Sequence, residues 1–348
     1  MLRERIYYLD LLRALAIMLV FTGHSVFALN GTLLAPLAFG GTGVDLFFLL
    51  SGWLIGYQLF AEQKKFGDIN LVKFWIRRWM RTMPAYFAVL AATLTQLYLS
   101  KNTVENPLPY FLFIQNYYVP LPYFSISWSL ALEEQFYLFI APLILLTSRL
   151  SSKHLQLIIL LCLLISPSVF RYFNLYGSLA ETHVRWDCCI MGIILANLHA
   201  NFQNLWNRIK SWASALLVIA ILAYAVCYLF RWFPPVENYS DPSKLILAVI
   251  FACMVIYAVV NPVQKLPFAH KSIMHISTRS YSIYLLHPDA FAIAKKLVSP
   301  TDWIPFYLLS FLIVLIMAEI LYRFVEITFI NLREKIPVSS KRELPTYA

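Results

Sequence analysis

The segment YYLDLLRALAIMLVFTGHSVFAL, Tyr7–Leu29, decides the fold class. A helix crossing the bilayer core needs roughly 20 apolar residues, and this run reaches that length with only Asp10, Arg13 and His24 as ionisable interruptions. It is too long for a secretory leader and carries no clear small-residue cleavage site, so it reads as a retained helix. The rest of the chain repeats the pattern. Of 348 residues, 60% are hydrophobic and 13% charged, against ~25% charged in a soluble domain. A single soluble core stops growing near ~250–300 residues. An ordinary soluble enzyme, a disordered chain and a disulfide scaffold are therefore excluded. The expected fold is all-α: a polytopic integral membrane protein with about ten transmembrane helices. The spans fall near 7–29, 40–61, 80–99, 127–147, 154–173, 184–199, 213–232, 243–261, 274–297 and 304–328. The stretch Pro107 to Pro122 holds four prolines and Asn116 and reads as an interfacial loop. One transmembrane domain thus covers 1–332, followed by a flexible cytoplasmic tail over 333–348. That length is expected to leave no room for a second catalytic domain.

Charge gives the orientation. The formal charge of +10 does not point to nucleic acid, because the basic residues sit between apolar segments. Eighteen of them fall on the side of the two termini, six in the loop after the second span alone, and seven on the opposite side. The positive-inside rule then places both termini in the cytoplasm. The five cysteines lie in or beside apolar runs at spacings that fit no metal motif, so they read as packing residues and no metal is expected.

A charge at the bilayer centre costs on the order of ~3 kcal/mol on insertion scales, so each one needs a reason. Topology gives each a depth. His24, Asp45, Glu133, Glu134, His287 and the group around Arg185 and Asp187 fall toward the outer side. Arg13, Arg77, Arg78, Arg81 and Arg279 fall toward the inner side. The outer set has the residue types of general acid–base chemistry, since a histidine held by a carboxylate accepts a proton near neutral pH. The inner set suits an anionic ligand, because arginine forks match phosphate oxygens. Duller readings stand beside these. The arginine run also fits a headgroup anchor, Asp45 a helix-start residue, and Arg185 and Asp187 a structural pair.

LDLLRALAIMLVFTGH (Leu9 to His24), GGTGVDLFFLLSGWLIG (Gly40 to Gly56), FWIRRWMRTMPAYF (Phe74 to Phe87) and ISWSLALEEQFYLF (Ile126 to Phe139) follow in order. So do RWDCCIMGIILA (Arg185 to Ala196), SYSIYLLH (Ser280 to His287) and LYRFVEITFI (Leu321 to Ile330). Together they resemble the membrane acyltransferase-3 family from Leu9 to Ile330. The resemblance implies a bacterial inner-membrane O-acyltransferase that moves an acyl group, usually acetyl, from acyl-CoA to a hydroxyl of a cell-surface or exported glycan or glycolipid. It implies His24 as the catalytic histidine, Glu133 as the motif glutamate, and Arg13, Arg77, Arg78 and Arg81 at the acyl donor. Asp45 or Glu133 would orient the imidazole, with Glu134, His287 and Arg185 supporting. His24 acts as general base or as a transient acyl carrier. The partners expected are acetyl-CoA as donor, the acceptor and the lipid bilayer; a homo-oligomer is compatible with the sequence. A transporter or flippase is the other class that fits ten spans with buried charge. An unrelated acyltransferase family would move the essential histidine to His287.

Overall fold

The computed structural model describes residues 6–27, 35–101, 105–118, 120–150, 152–232, 243–261, 269–299 and 302–335. Among them there is no β-strand. The helices are α1 (Tyr7–Phe27), α2 (Gly43–Phe66), α3 (Leu71–Lys101), α4 (Leu108–Phe111), α5 (Trp128–Ser148), α6 (Lys153–Tyr172) and α7 (Asp187–Asn201). They continue with α8 (Gln203–Ser211), α9 (Ala213–Trp232), α10 (Ser243–Val260), α11 (His270–Leu297), α12 (Trp303–Leu321) and α13 (Ile327–Lys335). All ten predicted spans coincide with helices. Among the described residues, six stretches are long and apolar enough to cross a membrane: Tyr7–Val26, Leu37–Phe66, Ser125–Ser148, Lys153–Tyr172, Ala213–Phe230 and Trp303–Arg333. The other four fall short for visible reasons. The uncharged part of α3 after Arg81 is diluted by Thr82, Pro84, Thr93, Thr95 and Gln96, α11 carries Lys271, His275 and Arg279, α7 is only 15 residues long, and the apolar part of α10 is short. Most of the 333–348 tail lies outside the described residues.

Burial separates an inner group of helices from a lipid-facing one. The α1 and α2 spans are 61% and 72% buried, whereas the α9 span is 11% buried and the α12 span 22%. The inner helices are also where the polar residues lie. α2 and α7 pack with their backbones almost touching. A Cβ on Gly52 or Gly192 would collide with the carbonyls of Cys189 and Leu49, and one on Gly56 would sit 2.7 Å from the Ala196 Cβ. Gly52 and Gly56 are one turn apart, so they form the small-residue stripe by which membrane helices gain packing where no hydrophobic drive exists. Gly192→Ala is expected to cost about 1–3 kcal/mol by overpacking. It should be read as a lowered thermal midpoint in detergent, and an unchanged midpoint would refute the close approach.

The Pro107–Pro122 stretch leaves Leu108, Phe111, Leu112, Tyr117 and Tyr118 exposed, as an interfacial loop would, but sends polar side chains into the protein. Gln115 and Asn116 are fully buried. The Gln115 side chain donates to the Tyr86 hydroxyl at 3.2 Å and the Ser127 carbonyl at 3.0 Å. The Asn116 amide donates to Thr182 Oγ1 at 3.0 Å, and Gln135 donates to Asn116 Oδ1 at 2.9 Å. These bonds satisfy backbone and amide groups that water cannot reach. They also start α5 below the molecular surface.

Before α7, Arg171 bridges from α6. It donates to both Asp187 oxygens at 2.9 and 3.0 Å, to Ser168 Oγ and to the Val184 carbonyl. Both side chains of this pair are 1% exposed. Near the other end of the bundle, Arg279 on α11 is tied to Glu319 on α12 and lies over the Tyr322 ring, and Glu319 also holds Arg323. A π-helical turn at Tyr322–Glu326 turns Glu326 inward to Ser282. Arg279 is therefore an interhelical tie and does not join the arginines expected around it.

Candidate functional site

His24 sits near the end of α1 and His287 in α11, and Nδ1 of the first lies 2.7 Å from Nε2 of the second. The rings are nearly parallel, 24° apart. The pair has a cause in the sequence. Pro288 follows His287, and a proline has no N–H for the carbonyl one turn back. That carbonyl belongs to Tyr284, and His287 Nδ1 lies 2.6 Å from it. A carbonyl can only accept, so Nδ1 of His287 carries the proton. With both rings neutral, Nε2 of His287 then accepts from His24 Nδ1–H, which leaves the basic lone pair on His24 Nε2. A backbone carbonyl thus sets the tautomer of both imidazoles.

His24 lines a cavity of about 260 Å³ together with Thr42, Trp128, Arg185, Lys244 and Tyr284. Asp45, 2% exposed in the first turn of α2, lies behind this wall. Its carboxylate faces Arg185 Nη1 at 2.8 Å and Lys244 Nζ at 3.4 Å. Asp45 was expected to orient the imidazole. Instead its side chain is turned to these two cations, and the hydrogen bond seen from His24 Nδ1 goes to His287. Arg185 also lies over the Trp128 ring at 5.6 Å.

A second cavity, of about 130 Å³, is lined by Arg13, Arg78, Arg81, Ser51, Thr82, Glu133, Tyr137 and Tyr284 among others. Arg13 is eleven residues before His24, so the two cavities are offset by roughly 16 Å along α1. Arg78 also donates to Gln58 at 2.9 Å. Arg77 is absent from this wall. With Arg77 at 0°, a helix places Arg81 near ~40°, Arg78 near ~100° and Thr82 near ~140°. The cavity faces the middle of that arc, and Arg77 falls at its edge.

Glu133 is a correction. It was expected beside His24, and it lines the arginine cavity. Glu134 follows it, accepting from Thr82 on α3 at 2.7 Å. The reason is the buried segment ahead of α5: the helix starts deep, so its sixth and seventh residues reach the arginines. No His/Cys/Asp/Glu group suited to a metal occurs among the described residues.

Val44 and Tyr284 belong to the walls of both cavities. Tyr284 contributes twice. Its carbonyl accepts the hydrogen bond from His287 Nδ1–H, and its hydroxyl lies 2.6 Å from Ser129 Oγ and 3.1 Å from the Ile126 carbonyl. Sequence reasoning passed over Tyr284, Ser51, Tyr137 and Lys244. The only signal for Tyr284 was its place four residues before a proline. Lys244 read as a loop anchor.

A Staphylococcus aureus (strain COL) protein named provisionally as an O-acetyltransferase is 30% identical over 92% of this chain, and the match covers 56% of its own length. O-acetyltransferase OatA of S. aureus (strain NCTC 8325 / PS 47) is 28% identical over 91% of this chain and 56% of its own length. The chain therefore spans about half the length of the curated relatives it matches. No solved structure matches it. The family model described as an acyltransferase domain, Acyl_transf_3, matches residues 6–323, and the chain belongs to this acyltransferase-3 family.

Proposed function

We propose that the chain is a membrane-embedded O-acyltransferase that moves an acetyl group from acetyl-CoA to a hydroxyl of a surface or exported glycan. In this reading ten helices span the plasma membrane and both termini are cytoplasmic. The orientation gains support from three of the seven basic residues on the opposite side. Arg171, Arg185 and Lys244 are internal ion-pair partners and not loop anchors, so the basic excess at the terminal side is steeper than the raw count. The observation that carries the function is the pair of cavities. Arginines line one, the histidine pair opens on the other, and Val44 and Tyr284 border both.

Arg78, Arg81 and, deeper, Arg13 bind the donor's phosphates by charge-assisted forks. The thin acyl-bearing arm runs toward Val44 and Tyr284. His24 Nε2 takes the proton of the acceptor hydroxyl. The hydroxyl oxygen bonds to the thioester carbonyl carbon, the carbon–sulfur bond breaks, and the CoA thiolate leaves with the proton held by His24. His287 keeps the base in its tautomer throughout, as the carboxylate does in a hydrolase triad.

The test uses the purified full chain in liposomes. Release of free CoA from acetyl-CoA, with labelled acetyl appearing on an added glycan, is the expected result. A carrier would release none. Arg78→Gln is expected to raise the KM for acetyl-CoA by about tenfold, with a much smaller change in kcat, as for one lost phosphate fork. Arg77→Gln, at the edge of that face, should move KM far less. Equal effects of the two would refute the donor assignment.

A further inference from the structure

The histidine cavity carries more positive charge than its described residues neutralise. Arg185 and Lys244 share one carboxylate, Asp45. Of the acids nearby in sequence, Asp187 is engaged by Arg171 on both oxygens, and Asp241 lies outside the described residues. Three helices also begin around this wall. Gly41 and Thr42 precede α2, Arg185 lies just before α7, and Lys244 is the second residue of α10. Each start adds the positive end of a helix dipole. Inside a membrane domain, uncompensated positive charge is costly and calls for an anionic partner. Lys244 offers three N–H donors, of which the Asp45 contact accounts for one.

We propose that Arg185 and Lys244 form an oxyanion subsite for the acceptor. The unit that presents its hydroxyl to His24 bears a carboxylate or phosphate on the same or the adjoining sugar ring. The cavity, about 260 Å³, lies just below the lower end of ligand-sized clefts, roughly 300–1,000 Å³, so a group held by Lys244 and a hydroxyl at His24 belong to one small ligand. Asp45 then has a double task. It holds the two cations in place while cancelling only half their charge.

This inference rests on the acyltransferase reading, and its test is separable from it. The full chain in phosphatidylcholine nanodiscs is titrated calorimetrically with methyl glucuronoside, glucose 1-phosphate and methyl glucoside. At least one anionic sugar is expected to bind about tenfold or more tightly than the neutral one, the discrimination of one charge-assisted contact. Lys244→Gln should bring that ratio close to one, and Lys244→Arg should restore it. Retained binding of CoA shows that each variant is folded. Equal binding of neutral and anionic sugars, or a ratio that survives Lys244→Gln, would overturn the subsite. Phosphatidylglycerol in the nanodiscs that erases the preference would assign the site to a lipid headgroup and overturn it as an acceptor site. CoA release from acetyl-CoA, measured in parallel, reports on the transferase reading alone.

Discussion

His24→Ala is expected to lower acetyl transfer by about 10²–10⁴-fold, the usual worth of a positioned general base, while binding of CoA stays intact. The separation follows from position. His24 opens on one cavity, and the donor arginines line the other, about three helical turns away. The side chain is only half-buried near the end of α1, so its truncation leaves no large hole in the core. His287→Ala should cost less, because its ring acts through His24 by holding the tautomer. Its signature is a displaced pH profile of kcat together with a lower maximum, which a merely structural loss would not give. Labelled transfer assays on proteoliposomes containing equal amounts of folded protein provide the check. A His24→Ala protein that binds CoA and transfers at the full rate would sink the mechanism.

Arg171→Met is the substitution expected to damage the fold most. It strands Asp187 as a buried carboxylate, and breaking a buried pair on one side costs about 3–5 kcal/mol. The damage should spread, because Asp187 opens α7 and Arg185 precedes it by two residues. The double variant Arg171→Met, Asp187→Leu removes both charges and should recover a large part of the loss. Thermal unfolding in detergent gives the comparison. A single variant as stable as the parent, or a double variant no better than the single, would show that the pair does not carry this weight.

Much of the molecule was legible in the chain because the bilayer simplifies the problem. Apolar runs of the right length become helices wherever backbone groups cannot reach water, and every predicted span is helical. The arginines at Arg13, Arg78 and Arg81 were separable from the histidines because depth follows from position along a helix of known rise. Glu133 escaped this logic. Its depth depends on where α5 starts, and that is set by Gln115 and Asn116 docking into the protein. A proline-rich run signals a break in a helix without telling whether the break lies at the surface or inside. Asp45 escaped it for another reason. A carboxylate has two oxygens, and which neighbours take them depends on lateral helix packing, on which hydropathy is silent.

The sequence alone determined the class of the fold, the helical segments, the basic bias of the loops and a short set of buried ionisable residues with, Glu133 apart, their depths. These follow from one-dimensional quantities: apolar length, charge position and helical rise. Only the tertiary structure decided which of those residues meet. It paired His24 with His287 through the carbonyl that Pro288 leaves open, gave Asp45 to Arg185 and Lys244, and moved Glu133 to the arginines. Lateral neighbours are chosen by close backbone contact, such as the approach of α2 and α7 at Gly52 and Gly192. Contacts between residues more than a hundred positions apart leave no periodic trace in the chain that makes them.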